Sequence, residues 1–364
     1  MSVIIDGGAN EDVVHGAGFA HLREHWALAS FRRALGDDYV MATAQTLQYQ
    51  TEFIIFVRSA DAVVRDRIDW WQWSTADLAE EVAVIDSEIV AAESDMNGLA
   101  VDRELPRRLG VFGPETDWGY GDRESLRGWT VDNLRTAVSQ TWGDRPAMAV
   151  TTARDLDGWG PNDDLRPFRG QGVTVRPASE GPVTVAGGGG ITYCGWHFDY
   201  RDRRDLRAVD DLVTLLTLVA RDNGAREAQG YEFDFRIGQF GERHVARGSD
   251  YLAVGIKCEP GSPVVRTAAV IDQLLESTRA VLRADIGVGD SRLAMGIDRH
   301  RLLRQARINQ SIVQRLVLVN RAKLLGGEDP VLHSAERDSS ELTAYAQYLL
   351  TLIDDMSVDV GTAA

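Results

Sequence analysis

Near its amino terminus the chain reads His21-Leu22-Arg23-Glu24-His25, and these residue types at this spacing can do hydrolytic chemistry. Positions four apart on a helix share one face about one turn from each other, so the two imidazoles can converge on a single Zn2+. Glu24 then lies close enough to take a proton from a water on that ion without ligating it. Zinc brings the pKa of such a water to about 7, and a carboxylate that accepts its proton completes a hydrolytic site. The pattern is short, and two helical histidines also occur as ordinary surface residues. Catalytic zinc usually takes three protein ligands and leaves the fourth position to water, so a third ligand has to come from elsewhere in the chain.

The segment Leu78-Ala79-Glu80-Glu81-Val82-Ala83-Val84-Ile85-Asp86-Ser87-Glu88-Ile89 offers one. Leu78, Val82, Ile85 and Ile89 form an apolar helical stripe. Glu81 and Glu88, seven positions apart, fall on nearly the same face at about 100° per residue, beside that stripe. Carboxylates at the margin of a buried face need partners, and a metal or a cationic network would supply them. Glu80, Asp86 and Glu93 read instead as a solvated acidic face.

These residues need a scaffold, and the 364 residues are enough for about two domains. In the first half, apolar periodicity predicts a strand over 3–5, a helix over 18–35 and a β-branched, aromatic strand over 51–57, followed by helices over 60–71, 75–93 and 131–141. Glycine, proline and aspartate then become dense and end in the tetraglycine Gly187-Gly188-Gly189-Gly190. This places a junction over 166–190 between domains 1–165 and 191–364. The second half repeats the plan: a strand over 191–198, a helix over 205–222 with Leu212, Leu215, Leu216 and Val219 on one side, and strands over 231–237 and 251–258. Helices over 265–283, 291–325 and 339–355 follow. Two α+β halves of similar size fit a distant duplication.

Composition excludes several alternatives. With 39 Lys+Arg against 55 Asp+Glu, the net charge is −16, which argues against nucleic acid as a partner. Cys194 and Cys258 are the only cysteines, too few for a disulfide framework or a four-thiolate zinc site, and both read as isolated buried thiols. Cys194-Gly195-Trp196-His197 admits a thiol-peptidase reading, but no helix start or orienting partner accompanies it. No stretch is long and apolar enough to span a membrane, and the first residues lack basic and apolar signal regions, so a cytoplasmic location is expected. His15, His197, His244, His300 and His333 have no setting comparable to that of His21 and His25.

Gly18-Phe19-Ala20-His21-Leu22-Arg23-Glu24-His25 resembles the Gly-x-Ala-His-x-x-Glu-His signature of the pitrilysin and insulinase zinc metallopeptidases, relatives of mitochondrial processing peptidase. Gly7-Gly8-Ala9-Asn10-Glu11 resembles the family's Gly-Ser-x-x-Glu/Asp segment, and the Glu81–Ile89 stretch its second conserved helix. The resemblance implies His21, His25 and Glu88 as zinc ligands, with Glu24 and Glu81 as catalytic residues. Arg226-Glu227-Ala228-Gln229-Gly230-Tyr231 resembles the companion domain's substrate-holding segment, which implies Arg226 with Tyr231, or Phe233 in the tyrosine's place, as substrate-binding residues. The implied fold is α+β: two similar α/β-roll domains, each a mixed sheet packed on helices, facing each other as a clamshell. The implied function is a Zn2+-dependent metalloendopeptidase that hydrolyses or matures peptides in a closed chamber, the substrate lying as an added strand on the first domain's edge. Its partners would be a peptide and, in a homodimer or heterodimer, a second related subunit. The alternative is a catalytically silent peptide-binding subunit of such a pair. Two departures stand out. Only 63 positions separate His25 from Glu88, fewer than is usual in the family, and Met41-Ala42-Thr43 stands where Asn-Ala commonly precedes the edge strand.

Overall fold

The computed structural model describes residues 1–59, 73–111, 119–142, 148–152, 183–199, 203–224, 231–238, 249–257, 264–288 and 339–356, with isolated positions between 296 and 317. The expected helix over 60–71, most of that over 291–325 and most of the junction lie outside these residues. Contacts divide the chain into two compact units, the first containing Met1–Asp95 and the second Thr174–Arg307, and the intervening Met96–Val111 belongs to the second.

In the first unit β1 (Ser2–Asp6) leads to α1 (Phe19–Leu35), then to β2 (Tyr39–Thr46), β3 (Gln50–Val57) and α2 (Thr75–Ser94), with α3 (Val131–Thr141) and β4 (Met148–Thr151) later. The sheet order is β2-β3-β1-β4. Alternation sets the core: Val3 and Ile5 of β1 and Phe53 and Ile55 of β3 face the helices, where Phe19, Leu22, Trp26 and Phe31 of α1 meet Leu78, Ile85 and Ile89 of α2. The helix α2 starts cleanly because Ser74 and Asp77 form a capping box.

In the second unit β5 (Val183–Ala186), β6 (Ile191–Asp199), α4 (Arg203–Gly224), β7 (Glu232–Ile237), β8 (Ser249–Lys257), α5 (Val264–Val288) and α6 (Ser339–Asp355) follow in order. The sheet order is β5-β6-β8-β7. Trp196, Leu252, Val254 and Ile256 face Leu212, Leu215 and Leu216 of α4 and Ile271, Leu275 and Leu282 of α5. The opposite sheet face is covered by Met96–Val111, which contains a π-helical turn at Leu99–Glu104 and a short helix at Leu105–Arg108. Tyr251 donates its hydroxyl to the Val101 carbonyl at 3.0 Å. Gly195 lets this segment approach closely: a Cβ there would lie 2.7 Å from the Leu105 side chain, which would have to shift.

The sheets differ from expectation in one respect. Mixed sheets are expected, yet every ladder among the described strands is antiparallel. A parallel pair needs a crossover helix between neighbouring strands. Here α1 joins β1 to β2 and α4 joins β6 to β7, and in each case another strand lies between the two that the helix connects.

Candidate metal centre

The site is built on the first turns of α1. Asp12, buried, accepts hydrogen bonds from the backbone N–H groups of Gly18 at 2.9 Å and Ala20 at 2.8 Å. It thereby satisfies two of the amides that a helix start leaves open. Gly18 and Gly121 both have positive φ, 86° and 85°, and a Cβ on Gly121 would lie 2.2 Å from the Gly18 Cα. Only glycine permits this approach. It brings the preceding Tyr120 carbonyl to 3.2 Å from Nδ1 of His21, which donates to it.

With Nδ1 so engaged, His21 turns Nε2 toward Glu88, 3.1 Å from its Oε2. His25 is held in the same manner: its Nδ1 donates to Glu81 at 2.7 Å, and its Nε2 lies 3.7 Å from the same Glu88 oxygen. Ligand atoms of His21, His25 and Glu88 all fall within 4.8 Å of one another. The imidazoles are buried, whereas the Glu88 side chain is 44% exposed, so the cluster is open to solvent on that side. Two neutral imidazole nitrogens and a carboxylate oxygen are a donor set that suits zinc, and a fixed partner on each imidazole's other nitrogen is the usual support of a metal-binding histidine. The residues therefore fit the ion that the motif implies.

The electrostatics agree with the geometry. Burial works against a charge on His25, but hydrogen bonds to Glu81 and Glu88, with the charges of Glu24 and Glu88, raise its pKa to about 9. Glu88 is held well below the usual carboxylate range, first by its hydrogen bonds to His21 and His25.

Glu24 is also buried, and Thr46, at the end of β2, donates its hydroxyl to the Glu24 carboxylate at 2.5 Å. The structure thus brings five of the sequence-derived residues together: His21, Glu24, His25, Glu81 and Glu88. Tyr231 and Phe233 lie in the second unit beside its core, where Phe233 stacks on Phe235 with ring centroids 6.1 Å apart. Arg226 and Cys258 lie outside the described residues. Of the acidic face expected to be solvated, Glu80 and Glu93 are exposed and Asp86 is half-exposed. Asp86 and Glu93 share Arg123, at 3.0 Å and 3.4 Å, because the short helix Arg123–Arg127 packs beside α2. Cys194 is buried, and burial pushes its thiol up to about 12, which removes the thiolate that a thiol peptidase needs.

Sequence reasoning missed Tyr120, Asp12 and Thr46. A backbone carbonyl leaves no mark in side-chain identity, and a lone threonine or aspartate is a common residue. The pairing of Gly18 with Gly121 was the available signal, and it connects residues about a hundred positions apart.

No family model matches the chain, and no curated protein does. Solved structures do. A protease from Helicobacter pylori superposes with a TM-score of 0.55 at 12% identity, covering 95% of this chain and 89% of that one, so the two share a fold. A predicted insulinase family protease from Yersinia pestis (TM-score 0.47, 14% identity) covers 98% of this chain and 83% of its own. For the periplasmic protease PqqL from Escherichia coli (TM-score 0.48, 11% identity) the shares are 98% and 42%. All three of these solved structures are of proteases. Among the described residues no helix is long and apolar enough to cross a membrane.

Proposed function

We propose that the chain is a zinc-dependent endopeptidase whose first unit carries the catalytic centre. The observation that carries this reading is the convergence of the His21 and His25 Nε2 atoms on Glu88, with each ring's other nitrogen already engaged and a buried carboxylate, Glu24, beside them. A bound zinc would polarise a scissile carbonyl and make water acidic enough to attack at neutral pH. Glu24 would accept a proton from the attacking water and return it to the leaving amine, with the Thr46 hydroxyl holding its carboxylate for both transfers. Glu81 orients His25, and the Tyr120 carbonyl orients His21. Among the described strands β2 pairs with β3 alone and ends the sheet, and a peptide main chain lying along its other edge would run past Thr46 toward Glu24.

The test is metal analysis of the purified protein together with hydrolysis of a quenched fluorescent peptide library by wild type and Glu24→Gln. Stoichiometric zinc, with activity lost in the variant, is the expected result; a metal-free, inactive wild type overturns the reading. One observation favours a second reading, a silent peptide-binding subunit paired with an active relative. Phe233, which with Tyr231 is one of the two positions where the resemblance places a substrate-holding tyrosine, carries no hydroxyl and stacks on Phe235. Restoration of activity by Phe233→Tyr in an otherwise inactive, zinc-loaded protein would favour that second reading.

A further inference from the structure

Arg23 and Glu24 are consecutive on α1, yet they reach different partners. Arg23 is fully buried, at 0% exposure, between the two histidines. The motif's chemistry requires nothing at that position, and a buried guanidinium is costly unless it is paired. Its guanidinium carbon lies 4.1 Å from the centre of the Trp142 ring and 5.1 Å from that of Phe19, and it forms an ion pair with Glu11. The Trp142 indole N–H donates to the Asp6 carbonyl at 2.9 Å, which ties the ring to the end of β1. Next in the chain is Gly7, with φ of 104°. A Cβ there would lie 2.6 Å from the Glu11 carboxylate and 2.9 Å from the Arg23 guanidinium, so a glycine is what admits the pair.

The segment from Gly7 to Glu11 is in turn laced to the turn between β2 and β3. Gly7 N–H donates to Tyr49 O at 3.0 Å, Ala9 N–H to Leu47 O at 2.9 Å and Asn10 N–H to Gln48 O at 2.9 Å. Thr46 precedes Leu47, and its hydroxyl donates to Glu24. A closed ring results: Arg23, Glu11, the backbone of 7–11, the turn 47–49, Thr46, Glu24 and back to Arg23 through one peptide bond. His21 and His25 lie outside it, held by Tyr120 and Glu81.

We propose that Arg23 is a positioning residue for Glu24, setting the Glu24 carboxylate through Glu11 and Thr46 while leaving the metal ligands to other supports. The proposal rests on the reading of Glu24 as proton acceptor. A leucine at 23 could fill the same space, but it would not fix Glu11, and the register of the 7–11 segment against the turn would lose its anchor.

The test uses Glu11→Leu/Arg23→Met, which removes both charges at similar volume and strands neither, alongside Thr46→Val. Zinc content stays stoichiometric and KM stays near wild type, while kcat falls about 10-fold to 100-fold, the cost of a carboxylate displaced by about 1 Å. Combining the double variant with Thr46→Val loses less than the product of the separate losses, because both act through one carboxylate, and Thr46→Ser restores kcat. Full kcat in the double variant, or losses that multiply, overturns the proposal. Should the double variant not fold, Arg23→Lys, which keeps the charge but loses the planar fork, is assayed instead; an unchanged kcat overturns the proposal and a lowered one supports it. Should wild type bind no zinc and cleave no peptide, the peptidase reading fails by itself. The ring is then read from a crystal structure of the double variant: Glu24 swung away from Thr46 supports it, and Glu24 still bonded to Thr46 overturns it.

Discussion

The two halves of the chain follow one plan and differ in what their first long helix buries. Strand, helix, strand, strand and helix follow in both: β1, α1, β2, β3 and α2 in the first, β6, α4, β7, β8 and α5 in the second. Sheet orders correspond as well, β2-β3-β1 matching β7-β8-β6, all antiparallel. Among the described residues of α4 the buried ones are Leu212, Leu215, Leu216, Val219 and Ala220 with a single acid, Asp211, whereas on α1 His21, Arg23, Glu24 and His25 are all buried among its apolar residues. Each leucine buried on α4 contributes roughly 1.5–3 kcal/mol. Each ionisable group on α1 instead needs a partner: Tyr120 for His21, Glu11 for Arg23, Thr46 for Glu24 and Glu81 for His25. The same frame thus buries mainly apolar side chains on its first long helix in one half and, at a cost in apolar burial, a set of partnered ionisable groups in the other.

That contrast can be broken by substitution. Glu24→Gln on α1 is expected to lower kcat by about 10²–10⁴-fold while leaving zinc content and thermal midpoint unchanged; a parallel drop in stability would mean that Glu24 is structural. Leu215→Ala on α4 is expected to do the reverse, destabilising the protein by about 2–5 kcal/mol in urea titration with zinc stoichiometry intact. Glu81→Gln sits between the two kinds, weakening zinc binding by about 10-fold to 100-fold in competition with a chelating dye. An affinity equal to wild type would show that His25 needs no orienting carboxylate. The smallest expected effect is none: iodoacetamide at pH 8 should leave Cys194 unmodified in the native protein, as a thiol with a pKa near 12 requires, and peptide hydrolysis should be unaffected by it.

The elements that sequence patterns make legible are those whose signal is local and long. The helices α1, α2, α3 and α6 and the strands β1, β3 and β6 fall within about two residues of the expected ranges, since each repeats its period several times. Four-residue strands such as β4 and β5 have too few positions to show alternation, and β2 is suggested only by the family resemblance. The cover of the second sheet by Met96–Val111 is invisible locally, because that segment follows α2 in the chain yet belongs to the other unit. At the site, His21, Glu24 and His25 are legible because one helical turn relates them. Glu88 is legible because a second periodic helix sets its face, with the resemblance choosing it over its neighbours.

By itself, then, the sequence determined which side chains could hold an ion and that each rides on a helix, for helical periodicity converts spacing into a shared face without reference to the rest of the chain. Tertiary structure alone decided which nitrogen of each imidazole faces Glu88, that Thr46 holds Glu24, and that a buried arginine is tied to Glu11. These depend on backbone carbonyls, glycine close approaches and pairings between distant segments, and no local pattern encodes contacts that exist only once the chain has folded.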